Sequence, residues 1–204
     1  MEDLPLDVLA LIIDKLQARD QGALATTNRY FYHLTFDLAR SATFTQQGEV
    51  DMYWSKYTML TSLHIRNCVP PATGKRYPTI KNISIYFSGP YRKLYAHNID
   101  YGRLFNWMSG LSLERFRCNT EIPNHYFGAI IRQPTLRVLE INYLLPHTIG
   151  VINRDIETLS VLIVRSEEKI DWTLFRSLRR LSLYGNISPS VIQSLQSLPQ
   201  LQVL

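Results

Sequence analysis

The sequence predicts an α/β chain: a short N-terminal helical unit, then a solenoid with parallel strands on its concave side and helices on its convex side. Three observations predict it. Residues 4–16 carry apolar side chains at helical spacing. From residue 60 onward a triple of apolar residues recurs at near-regular intervals. Helix-compatible stretches lie between the triples, with Pro134 and Pro199 placed where a helix must stop. Size and composition agree. The chain has 204 residues, 46% hydrophobic and 19% charged, enough for a sizeable core and too apolar for a disordered polymer.

The first helix reads LPLDVLALIIDKL from Leu4 to Leu16. Pro5 suits a first helical turn, where its missing N–H costs nothing, and Glu2, Asp3 and Asp7 complement the positive end of the helix dipole. Leu9, Ile12, Ile13 and Leu16 fall at i, i+3, i+4 and i+7 and form one apolar stripe, which Leu6, Val8, Ala10 and Leu11 widen. A helix apolar on most sides must be covered on most sides. A second helix is expected after Asp20, a good N-cap, with a break near Asn28-Arg29 and a stripe of Leu24, Thr27, Phe31, Leu34 and Leu38. The unit is expected to end at residue 44. A bundle of 44 residues makes a marginal core, so its surplus apolar surface has two readings: a partner covers it, or the rest of this chain does.

Leu4-Pro5, Asp7-Val8-Leu9, Ile12 and Leu16, then Asp20, Ala23-Leu24-Ala25 and Thr27-Asn28-Arg29-Tyr30-Phe31, resemble an F-box in order and spacing. The resemblance implies that Leu4, Pro5, Val8, Leu9, Ile12, Leu16 and Leu24 face a Skp-type adaptor and, through it, a cullin.

Residues 45–59 read as a linker or as the helix of a first repeat. Beyond them the apolar triple appears as Leu60-Leu63-Ile65, Ile80-Ile83-Ile85, Leu113-Phe116-Cys118, Leu136-Leu139-Ile141, Leu159-Leu162-Val164 and Leu178-Leu181-Leu183, and Leu201 with Leu204 begins another copy. Successive starts lie 20, 33, 23, 23, 19 and 23 residues apart, largely within the window of leucine-rich repeats. Cys68 and Asn186 occupy the position three residues further on; Leu144 and Glu167 mark degenerate copies. The 33-residue gap holds Leu104-Phe105-Asn106-Trp107-Met108, read as a longer helical repeat or an insertion loop. Helices are expected within Tyr126 to Arg132, Trp172 to Ser177 and Val191 to Leu198. Because a solenoid end needs a polar cap, residues 60–204 are expected to be truncated in the last copy. A helical unit followed by such repeats resembles the F-box leucine-rich-repeat proteins, which implies a substrate receptor of a Skp–cullin–F-box ubiquitin ligase.

Catalytic constellations are missing from the sequence. It holds no Gly-rich phosphate loop, no HExxH pair and no CxxC. His33, His64, His97, His125 and His147 are scattered, and Cys68 and Cys118 read as packing residues. No metal or cofactor is therefore expected, and no catalysis. The acidic start lacks the features of a secretory signal, and no apolar run reaches membrane-spanning length, so the chain is expected in the cytoplasm or nucleus with no membrane partner. Residues 1–44 carry 4 basic and 6 acidic side chains, net −2; residues 45–204 carry 18 and 11, net +7. No basic run exceeds two residues, so no nucleic-acid partner is expected.

Recognition remains. Positions between the inward apolar residues of a strand point outward. They include Arg66, Tyr86, Arg115, Arg117, Arg165, Arg180 and Tyr184, residue types that anchor interfaces. Arg115 with Arg117, flanked by Arg66 or Arg165, could hold a carboxylate or phosphate of a target protein; the other reading is a solvated polar face. The main competing function is a repeat scaffold whose N-terminal helices only cap the solenoid.

Overall fold

The computed structural model describes residues 4–69, 79–88, 101–120, 124–142, 151–163, 171–185, 189–196, 198 and 200–202. The chain is α/β and divides into two compact units, Met1–Leu111 and Ser112–Leu204.

The first unit opens with α1 (Leu6–Lys15), α2 (Ala18–Thr27) and α3 (Arg29–Leu38). Pro5 is the N-cap of α1, with Asp7 in the first turn and Lys15 in the last, each matched to the dipole. The second helix begins earlier than its sequence suggests: Gln17 is the N-cap, and Asp20 lies within the first turn. The break at Asn28 is where the residues place it. Asn28 is extended (φ −163°, ψ 171°), and its side chain accepts from Phe31 N at 2.9 Å, starting α3. The buried face of α3 is Phe31, Thr35 and Phe36, while Thr27 is exposed. Gly22 lets α2 approach α4 closely; a Cβ there would collide with the Tyr53 ring.

Strand β1 (Ser41–Phe44) follows directly, with Ala42 and Phe44 turned inward. The helical unit expected to end at residue 44 thus finishes on a strand. Ala39, Ala42 and Phe44 hold the offsets of the apolar triple, 21 residues before the copy at Leu60. Residues 45–59 are helical: α4 (Gln47–Tyr53) runs into a 3-10 turn (Trp54–Lys56). Glu49 closes a capping box on Gln46 and also accepts from Thr45 N at 2.8 Å. Then come β2 (Ser62–Arg66), β3 (Asn82–Tyr86) and α5 (Tyr101–Ser109).

The strands β1, β2 and β3 pair in parallel, with Ser41 opposite Ser62 and Ser62 opposite Asn82. Leu60, Leu63 and Ile65 and their counterparts Ile80, Ile83 and Ile85 fill the core together with Phe36, Phe44 and Tyr57. Leu104, Phe105 and Met108 are buried from α5, so the segment after the long gap is a helix. Trp107 of that helix meets Trp54 edge-on, ring centroids 5.7 Å apart.

The second unit holds β4 (Arg115–Cys118), α6 (Asn124–Ile131), β5 (Val138–Ile141), β6 (Thr158–Ile163), a 3-10 turn (Trp172–Leu174), β7 (Arg180–Gly185) and α7 (Pro189–Leu195). Its four strands are parallel, with one row running Arg115, Val138, Thr158, Arg180. The expected triples are buried at Leu113, Phe116 and Cys118 and at Leu136, Leu139 and Ile141. One triple is displaced. The inward set is Ile156, Leu159 and Val161, with Leu159 in the second place rather than the first, because Leu159 pairs with Leu139 and Val161 with Ile141; Val164 and the side chain of Leu162 lie outside the described residues. The run Val161-Leu162-Ile163-Val164 is apolar throughout, so composition cannot choose its register; pairing with β5 does.

Side chains tie successive copies together at the strand entrances. Gln133 Oε1 accepts from Leu113 N at 2.9 Å, and Asn153 Nδ2 donates to the carbonyls of Gln133 and Leu136 at 2.9 and 3.0 Å. These amides add bonds to the N–H and carbonyl groups of the short turns, where Gln133 O also accepts from Leu136 N at 3.2 Å.

Candidate functional site: two docking faces

Helix α1 is divided between two faces. Leu9 and Ile13, one turn apart, are 3% and 1% exposed and point into the bundle. Away from that side Leu4, Val8, Leu11 and Ile12 are 38%, 36%, 64% and 40% exposed, and Leu6 is exposed in the first turn, at the angular position of Ile13. At 100° per residue Val8, Leu11 and Ile12 lie within one third of the helix circumference, and Leu4 stands just before the N-cap Pro5. Leu9, grouped with the outward residues in the sequence, is therefore a core residue. Leu16 and Leu24 are half-buried, and Pro5 is exposed. Leu6 and Leu11, absent from the residues assigned to a partner, belong to the exposed set. The missing signal was angular: the stripe of Leu9, Ile12, Ile13 and Leu16 straddles both faces, and only Val8, Leu11 and Ile12 share the outer one.

The inner face of these helices is anchored by two polar side chains. Gln21, fully buried, donates to Ile13 O at 2.8 Å and Ser41 O at 3.2 Å, and accepts from Tyr57 Oη at 2.5 Å. Asp14 Oδ1 accepts from Arg40 N at 2.7 Å and Ser41 N at 3.0 Å. Helix α3 adds an open cleft of about 450 Å³ lined by Arg29, Tyr30, His33, Leu34, Asp37 and Leu38. Its i, i+3, i+4 spacing along Tyr30, His33, Leu34 and Asp37 is visible in the sequence, where tyrosine and histidine kept it from reading as a stripe.

The outward strand faces form the second candidate surface. In the first unit Arg66 and Tyr86 are exposed and adjacent across the β2–β3 register. The rows before them are polar and half-buried: Ser62 accepts from Asn82 Nδ2 at 3.0 Å, and His64 stands opposite Ser84. In the second unit Arg115 and Arg117 are exposed on β4. Arg117 Nη2 pairs with Glu140, its register partner on β5, at 2.7 Å. That carboxylate neutralises one of the two arginines expected to hold an anion. Arg180 and Tyr184 are exposed on β7. Arg165 lies outside the described residues.

Nothing among the described residues gathers three metal-ligating side chains, and none of their helices is long and apolar enough to cross a membrane. Burial pushes the Cys68 thiol up to about 12, and its Sγ faces Phe44 O at 3.6 Å. The Cys118 Sγ is buried 3.2 Å from Thr120 Oγ1. His33 is exposed and His64 half-buried; His97, His147 and the side chain of His125 lie outside the described residues. No family model matches the chain, and no curated protein matches it.

Proposed function

We propose that this chain is a non-catalytic substrate receptor of a cullin-RING ubiquitin ligase, an F-box leucine-rich-repeat protein whose α1 docks on a Skp-type adaptor and whose strand faces hold a target protein. The observation that carries the reading is the outer face of α1, where Val8, Leu11 and Ile12 stand exposed on a helix already anchored by Leu9 and Ile13, with Leu4 exposed just before its N-cap. An apolar face of this kind favours a covering partner, since burying one aliphatic side chain is worth roughly 1.5–3 kcal/mol. Parallel strands carrying apolar triples at 20- to 23-residue spacing within each unit support the repeat half of the reading. The rate enhancement is proximity: holding a target beside the conjugating enzyme raises its effective concentration, with no reacting group from this chain.

The competing reading, a scaffold capped by its helices, draws support from Asp14 and Gln21 on the backbone of β1. Deleting the helices cannot separate the two, because both predict a damaged first unit. Substitutions on the outer face do separate them. A Val8→Asp/Leu11→Asp chain should lose capture of purified Skp-type adaptor by about 100-fold or more while keeping its melting temperature. Undiminished capture would leave the scaffold reading in place.

A further inference from the structure

The register of β1 determines which of its backbone groups have a strand partner. Ser41 lies opposite Ser62, and Ser62 N donates to Arg40 O at 2.9 Å. In a parallel ladder of this phase the carbonyl of Arg40 and both groups of Ala42 face β2, while the N–H and C=O of Ser41 and Thr43 face the other way. Those outward groups are what a further strand would bind. At Ser41 two helix side chains stand in for it: Asp14 Oδ1 accepts the N–H at 3.0 Å, and Gln21 Nε2 donates to the C=O at 3.2 Å.

We propose that the outer edge of β1 is a latent strand-pairing surface held shut by Asp14 and Gln21, and that the strand it takes when opened is β1 of a second copy of this chain. The choice of occupant follows from composition. Residues 41–44, the whole of β1, carry neither charge nor proline, so two copies approach without like-charge repulsion, and Thr43 and Phe44 favour extended backbone. Identical edges meet about a two-fold axis as an antiparallel pair, a closed arrangement that stops at the dimer. Proteins block exposed edges with charge, proline or a covering element; this segment lacks the first two and has the third. Asp14 and Gln21 are positioning residues in this device, acting on the backbone of the strand.

The test is sedimentation velocity of the full chain over a range of concentrations, with amide hydrogen exchange read at Ser41 and Ala42. The wild-type chain should be monomeric, and Asp14→Ala should dimerise with rising concentration. Adding Thr43→Pro should restore the monomer, because it removes an N–H that faces only the outer edge. Thr43→Lys, which introduces a repelling charge, is a second blocker that keeps the backbone N–H. In dilute Asp14→Ala, exchange at Ser41 should rise about tenfold or more while Ala42, bonded to β2, keeps its protection. A monomeric Asp14→Ala chain would overturn the proposal, as would a dimer that neither blocker dissociates. Protection lost at Ala42 together with Ser41 would also overturn it, because Asp14 would then hold the fold rather than close its edge. A wild-type chain already dimeric through β1 would dispose of the gate.

Discussion

Gln21 makes three hydrogen bonds from a fully buried amide, and each joins a different segment: the end of α1, the start of β1, and the Tyr57 hydroxyl. Replacing it with leucine keeps volume and removes every bond, leaving the Tyr57 hydroxyl and the Ser41 carbonyl without these partners. The expected loss is about 2–4 kcal/mol in urea unfolding, against about 1–2 for Tyr57→Phe, which leaves the other two bonds standing. Cys68 gives a pH-dependent prediction. Its thiol is pushed up from 9.0 to about 12, chiefly because burial disfavours the thiolate, with Glu49 and Asp51 adding repulsion. The unfolded chain can ionise this thiol near 9 and the folded one cannot, so its contribution is intact below pH 9 and declines as pH climbs towards 12. Melting curves between pH 8 and 11 should fall more steeply for the wild-type chain than for Cys68→Ala. Such residues are hard to read from sequence. Gln21 stands in a polar stretch, Arg19-Asp20-Gln21-Gly22, and nothing local marks it as buried.

At the scale of elements, α1 shows why an apolar helix cannot be assigned to a partner from periodicity alone. Leu9 and Leu11 are two residues apart and chemically identical, yet one is 3% exposed and the other 64%. Leu9→Ala should destabilise by about 2–5 kcal/mol, whereas Leu11→Ala should cost under about 0.5, with thermal melts as the measure. Most strands were legible because their triples alternate cleanly, as at Leu63 and Ile65 or Leu139 and Ile141. Two escaped for opposite reasons. In β1 alanine stands where leucine is expected, so Ala39 and Ala42 carry too little apolar signal. In β6 the signal is too strong, since the continuous run through Val164 fits several registers and only pairing with β5 selects one. Of the candidate site, the exposed arginines and tyrosines were legible as outward positions, but the pairing of Arg117 with Glu140 depends on a neighbouring strand 23 residues away.

For the molecule as a whole, two compact units carry separate candidate surfaces, the outer face of α1 in one and the arginines of β4 and β7 in the other. In the receptor reading, substitutions on these surfaces have separable effects. Arg115→Glu and Arg180→Glu should weaken target capture while adaptor capture is unchanged, measured by parallel pulldowns. Neither should shift stability beyond about 0.5 kcal/mol, since both side chains are exposed. The Arg117–Glu140 pair, partly exposed on both sides, should show a coupling below about 1 kcal/mol in a double-mutant cycle.

The three tryptophans are partitioned in a way that gives each unit its own optical signal. Trp54 and Trp107 stand edge-on, 5.7 Å apart at 72°, close enough for their indole transitions to couple and produce a near-ultraviolet dichroism couplet. Trp172, 1% exposed and packed beside Phe175, emits instead from a dry site whose spectrum shifts to the red on wetting. Loss of the couplet and onset of the red shift can therefore be followed in one sample, which tells whether the two halves of the chain melt together or one after the other.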